Sequence, residues 1–253
     1  MPDRRGRVAM MLAMMPGVLC LAMAMCRPAL AEMQPVGGFE IDRTEVTVGA
    51  FRQFVAATGT VTAAERRGGG EVYEAGWTQK PGWTWQAPFG VPAADDEPAV
   101  HVTYAEALAY CRWAGKRLPT DAEWLEAAYT ERRASPPPPF ETGRTYPYPT
   151  GNTPEGANCL GDCGATPAID HRDRLTRGTG HAPAGRTRAG VNGLYDMGAN
   201  AWEWVDGNLG GGQKITRGGS WWYGAAQMHR SHTAGKPPET AVVYIGFRCA
   251  RNR

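Results

Sequence analysis

The sequence predicts one loop-rich domain in which short capped helices mix with short strands. Three observations carry that expectation. The 253 residues include 33 Gly and 20 Pro, a load of turn formers that suits irregular structure and not a helix bundle. Two Thr-x-x-Glu boxes mark helix starts in the middle of the chain. Short extended segments stand near both ends, with no internal repeat and no linker long enough to separate a pair of domains. Hydrophobic residues make up 42% of the chain, enough for a packed core, and each of the nine Trp needs apolar surface and a partner for its N–H.

The elements follow in order. Arg4, Arg5 and Arg7 precede an apolar run over residues 8–25, and Ala29-Leu30-Ala31 offers a small-x-small cleavage site. Residues 1–31 therefore read as an export signal; the run is short for a membrane span and is broken by Pro16-Gly17. Residues 32–253 form the mature domain, expected in the periplasm or secreted, with no stable anchor after cleavage. A strand is expected over residues 36–42, then a helix from the spacing of Phe51, Phe54 and Val55 that stops at Gly59. Residues 60–100 read as irregular. Thr103 with Glu106 starts one helix, which Gly115 ends; Thr120 with Glu123 starts another, over residues 121–129. Pro136 to Pro139 reads as a stiff surface strut, and residues 146–193 show turn formers without a period. Strands are expected at residues 215–220 and 246–250, the last bringing the chain end into the sheet of the first.

Charge excludes one class of partner. Loss of residues 1–31 removes four Arg and one Asp, taking the formal charge from +2 to −1. A near-neutral domain with scattered cations makes no electrostatic case for nucleic acid. Cys20 and Cys26 leave with the leader, and the remaining Cys111, Cys159, Cys163 and Cys249 are an even set in an exported chain, which points to two disulfides. The spacing of Cys159 and Cys163 suits a local bridge; a metal site is the rival reading, but four clustered ligands are missing.

Four blocks, taken together, resemble the formylglycine-generating-enzyme (sulfatase-modifying-factor) family. They are Phe39-Glu-Ile-Asp-Arg-Thr-Glu-Val-Thr47, Tyr110-Cys-Arg-Trp-Ala-Gly-Lys-Arg-Leu-Pro-Thr-Asp-Ala-Glu-Trp124, Gly193-Leu-Tyr-Asp-Met-Gly-Ala-Asn-Ala-Trp-Glu-Trp204, and Arg217-Gly-Gly-Ser-Trp221 followed by Gly246-Phe-Arg-Cys-Ala250. They keep the family's order and span nearly all of the mature chain. The resemblance implies a single irregular α+β domain, distantly like a C-type lectin. It implies a disulfide between Cys111 and Cys249. It also implies a calcium turn in which Asp196 and Glu203 give side-chain oxygens while Ala199 and Ala201 give carbonyls. Asn158 and the Cys159 carbonyl resemble the start of a second calcium site, with Asp173 as the weaker candidate for its later acid.

The family's reaction oxidises a substrate cysteine with O₂ and a Cu(I) ion held by two thiolates, at the third and eighth residues past the Gly-Gly-Ser motif. Those positions here are Tyr223 and Met228, so the usual reaction is not expected. Trp202 and Ser220 match residues that line the family's oxygen pocket. Met228, His229 and His232 offer a thioether and two imidazoles to copper, although strand alternation would separate Met228 from His229. The cleft candidates are therefore Trp202, Ser220, Tyr223, Met228, His229 and His232. No phosphate loop, zinc helix or nucleophile elbow is present, and His101 reads as a buried structural residue. Exported family members without the thiol pair serve siderophore maturation or stand beside copper nitrite reductases. The resemblance thus implies an accessory or maturation factor acting on an exported protein or peptide-like partner. A thiol-independent oxidase and a calcium-dependent binding module are the alternatives.

Overall fold

Three small sheets hold the described residues together, and two of them join strands far apart in sequence. The computed structural model describes residues 31–253, so the expected leader lies outside the described residues apart from Ala31. The first sheet pairs β1 (Met33–Val36) with β2 (Phe39–Asp42), and β2 with the last strand, β9 (Ala250–Asn252), all antiparallel. The first strands and the last therefore share a sheet, as expected. The expected single strand over residues 36–42 is instead a hairpin. Gly37, at φ 55°, reverses the chain in the left-handed region that glycine enters without a Cβ penalty.

The helices follow their sequence signals. Thr47 caps α1 (Val48–Thr58), and Gly59 ends it at φ 68°. Both Thr-x-x-Glu boxes form: Thr103/Glu106 opens α3 (Tyr104–Trp113), and Thr120/Glu123 opens α4 (Asp121–Tyr129). Glu106 also accepts from Ala63 N at 2.6 Å, so one carboxylate serves the first turns of α3 and of α2 (Ala63–Arg66). Residues 60–100 are thus more ordered than expected, with α2 and a hairpin of β3 (Glu71–Tyr73) and β4 (Trp77–Gln79). These pieces are too short for a periodic signal to register.

The third sheet carries the order β7-β6-β5-β8, built from β5 (Trp202–Gly210), β6 (Gln213–Arg217), β7 (Ala234–Lys236) and β8 (Ile245–Gly246). Strand β6 ends at Arg217, so the expected strand over residues 215–220 is cut short. Gly218 follows at φ 95°, where a Cβ would lie 2.9 Å from Met197 O, so close backbone approach and positive φ both demand glycine there. The expected strand over residues 246–250 is split into β8 and β9, which belong to different sheets.

Aromatic rings fill the main core. Phe51 of α1 meets Trp85 at 5.2 Å and stacks on Tyr110 of α3 at 5.8 Å, and Tyr110 meets Phe247 at 5.3 Å. A second cluster joins Ile41 of β2, Trp124 of α4, Leu194 and Val205 of β5. Trp204 and Trp124 find the partners their N–H groups need, in Val102 O and the Glu203 carboxylate. Both disulfides are present. Cys111–Cys249 ties α3 to the start of β9, and Cys159–Cys163 closes a local loop.

Candidate functional site

The segment after β6 carries most of the residues expected to line a cleft, and most of them are buried. Gly218 and Gly219 turn the chain sharply, and Ser220, fully buried, accepts from Trp222 N at 3.4 Å while its carbonyl accepts from Tyr223 N at 3.0 Å. Tyr223 is half-buried, its ring 5.9 Å from Trp202 of β5 and 5.8 Å from Tyr244. Trp202 also faces His232 at 5.7 Å. Burial, then Arg217 and Lys236, hold His232 below the usual imidazole range, so it is neutral near pH 7. The Arg177 guanidinium lies 4.0 Å over the Trp222 ring and donates to the Trp222 carbonyl. Trp202 Nε1, Trp221 Nε1 and the Tyr244 hydroxyl are buried without a hydrogen-bond partner. Burial pushes the Tyr244 phenol up, reinforced by the neighbouring Tyr223 phenol.

Sequence reasoning grouped Met228, His229 and His232; the structure gives them three different neighbours. Residues 225–228 form a 3₁₀ turn, not the strand assumed for them, and the Asp162 carboxylate at its start accepts from Ala225 N at 3.2 Å. Met228 is fully buried, with Sδ 3.9 Å from Cys163 Sγ. His229 packs on Tyr148 at 5.4 Å and bonds Ser231 through Nδ1 at 2.7 Å. His101 is a buried structural residue, as expected, with Nε2 on Pro88 O at 3.0 Å and a pKa lowered by burial to about 4.

The turn expected to hold calcium is tightly wound. Asp196, Ala199 and Asn200 all have positive φ, of 58°, 59° and 55°. Strain at three residues other than glycine needs strong local support, and the hydrogen bonds supply it. Asp196 accepts from Gly185 N at 2.6 Å and from the Thr187 hydroxyl. Asn200 bonds Asn158 Nδ2 and Ala182 N through its oxygen and donates to Glu45 at 2.7 Å. Glu203 spends both oxygens on Arg248, at 2.7 and 2.8 Å, and on Trp124 Nε1 at 2.7 Å.

Glu45 is the residue that sequence reasoning passed over. It lies within the family-like segment Phe39–Thr47, and its carboxylate accepts from Asn200 Nδ2 and Ala201 N. Burial, then Asp196, then Glu203 push its carboxyl well above the usual range. Three buried carboxylates thus stand against one buried guanidinium, Arg248. An oxygen-only donor set with surplus negative charge fits a hard cation. Both carboxylates are already engaged, Asp196 by Gly185 N and the Thr187 hydroxyl and Glu203 by Arg248 and Trp124, so a cation here would share oxygens that accept hydrogen bonds. Among the described residues no three His, Cys, Asp or Glu side chains converge as ligands, so carbonyls would have to supply much of any shell. Asn158 is buried with its amide spent on Gly180, Asn200 and Thr166, whereas Asp173 is exposed on the loop over residues 170–174; no hydrogen bond joins them.

Comparison with known proteins agrees with this architecture. Residues 2–253 match the sulfatase-modifying factor enzyme 1-like domain. A formylglycine-generating enzyme of Thermomonospora curvata is 33% identical over 259 residues, covering 84% of this chain and 81% of its own. A Mus musculus protein named inactive C-alpha-formylglycine-generating enzyme 2 is 30% identical over 241 residues, covering 84% and 74%. Among solved structures, PvdO from Pseudomonas aeruginosa shares the fold with a TM-score of 0.57 at 23% identity, over 85% of this chain and 80% of its own.

Proposed function

The chain belongs to the sulfatase-modifying-factor (formylglycine-generating-enzyme) family, and from that premise we propose that it is an exported accessory or maturation factor and not a cysteine oxidase. It serves a periplasmic enzyme or a peptide-like metabolite. One observation carries the reading: a phenol and a thioether, Tyr223 and Met228, stand where the family's reaction needs two thiolates, and Cys111, Cys159, Cys163 and Cys249 are all paired in disulfides. Soft thiolates hold Cu(I), and a phenol does not replace one. A relative whose name marks it as inactive supports the idea that this domain persists without the oxidation. The two disulfides favour export, because such bonds persist in oxidising compartments.

The surface offered to the partner is the half-buried Tyr223 ring and the exposed Arg177 guanidinium, which stand over the buried Trp202 and Trp222. One aromatic ring and one guanidinium suit an extended peptide carrying an acidic or aromatic group. Calcium at the Asp196 turn would hold that surface in shape, since Trp202 follows the turn directly. Deleting the gene and assaying exported enzymes tests the role: the account expects one of them to lose activity and to co-purify with the tagged wild-type protein. An unchanged set of exported activities, or turnover of a small molecule with O₂ uptake by the pure protein, would replace it with the oxidase reading.

A further inference from the structure

The β3–β4 hairpin presents an aromatic pair to solvent. Trp77 is 55% exposed, and Tyr73, its cross-strand partner, meets it edge-on at 5.4 Å. Strand alternation puts Glu71 on the same face of β3 as Tyr73. A Trp ring gains most when it is covered, so one left this open marks a contact surface. A cavity of about 460 Å³ runs from this hairpin to β7, the edge strand of the third sheet. Arg67, Glu71, Trp77, Gln213, Lys236 and Glu239 line it, and its volume suits a small molecule.

The lining holds two cations and two carboxylates, and among the described residues none of the four forms a salt bridge. Lys236 is half-buried, and burial alone holds its ammonium below the usual lysine range. Its cross-strand partner on β6 is another cation, Lys214, whose Nζ sits 4.5 Å over the Tyr104 ring. Like charges directly opposite weaken a strand pair, so this end of the cavity gains from an anion. Glu71, half-buried beside the aromatic pair, is the matching place for a cation. Charges of both signs, held apart around one cavity, complement a ligand that carries both.

We propose that this cavity binds a small zwitterion, a free amino acid or dipeptide, with its carboxylate on Lys236 and Arg67 and its ammonium on Glu71 beside the Trp77 ring. A plain anion would meet Glu71 and Glu239, and a plain cation would meet Lys236, so ligands of single sign are selected against. The site shares no residue with the Tyr223 and Arg177 surface, and it stands or falls independently of the accessory role.

The experiment titrates the purified protein with a panel of free amino acids and their dipeptides by calorimetry, with saturation-transfer NMR to see which ligand protons are covered. The expected result is one equivalent of at least one panel member bound, more weakly as salt rises. The N-acetyl and amide derivatives of that member each lack one charge and should bind at least about tenfold more weakly. Lys236→Met and Glu71→Gln should each weaken the parent ligand by a similar factor. Both should fold as stably as wild type, because neither change breaks an ion pair. Trp77→Ala, at an exposed position, gives a third variant with the same expected loss. Tighter binding of free amino acids or of dipeptides tells which source the cavity serves. The proposal is overturned if no panel member binds at millimolar concentration, if the charge-blocked derivatives bind as tightly as the parent, or if Lys236→Met and Glu71→Gln keep wild-type affinity.

Discussion

Removing each disulfide by a pair of Cys→Ala changes separates entropy from packing. Cys111–Cys249 spans 138 residues and Cys159–Cys163 only four. In the chain-entropy account the long bridge contributes about 5 kcal/mol and the short one about 2 kcal/mol. All four cysteines are at most 9% exposed, so the packing lost per pair is similar and the difference of about 3 kcal/mol isolates the loop term. For a domain of this size that difference corresponds to about 6–12 °C in Tm. Equilibrium unfolding in urea, with the m-value checked for constancy, measures it directly. Equal losses for the two pairs, or a larger loss from Cys159→Ala/Cys163→Ala, would refute the assignment of Cys111–Cys249 as the bond that holds α3 to the last strand.

The buried charges and the calcium turn give three more expectations. Arg248→Met leaves the Glu203 carboxylate buried with only Trp124 to satisfy it, and should cost about 3–5 kcal/mol in urea unfolding, some of which Glu203→Gln in the same chain restores. Glu45, whose folded-state pKa is raised above its ordinary 4.5, holds its proton more tightly folded than unfolded. Stability is therefore fully present below that value and declines as pH climbs toward the folded pKa, a decline that Glu45→Gln should flatten in a pH series of unfolding curves. Calcium at a hundred times its Kd should stabilise by about 2.7 kcal/mol, and a chelator should reverse the gain; a Tm indifferent to both, or a response unchanged in Asp196→Asn, removes the calcium reading.

Much of the fold was legible because its signals are local. Thr103 and Thr120 each cap the helix their side chains announce, and Gly59 ends α1 where the pattern stops. The resemblance supplied what locality withholds, the pairing of Cys111 with Cys249. What escaped depended on distant partners. Strand β5 was hidden because residues 202–204 read as the end of a calcium turn, and its pairing with β8 is parallel and two residues long. Glu45 gave no signal of burial, since a charged residue between Thr44 and Val46 in a short segment reads as exposed; its partner Asn200 lies 155 residues away. The sulfur cluster at Met228 was equally invisible, because a 3₁₀ turn of Ala-Ala-Gln-Met has no period by which to tell which side chain turns inward.

The central claim is that this family member does not make formylglycine, and one assay addresses it. The purified protein comprising residues 32–253, given Cu(I), O₂ and a sulfatase-type peptide with a single cysteine, should return the peptide by mass spectrometry with its thiol intact. An aldehyde in place of that thiol would contradict the account at its root.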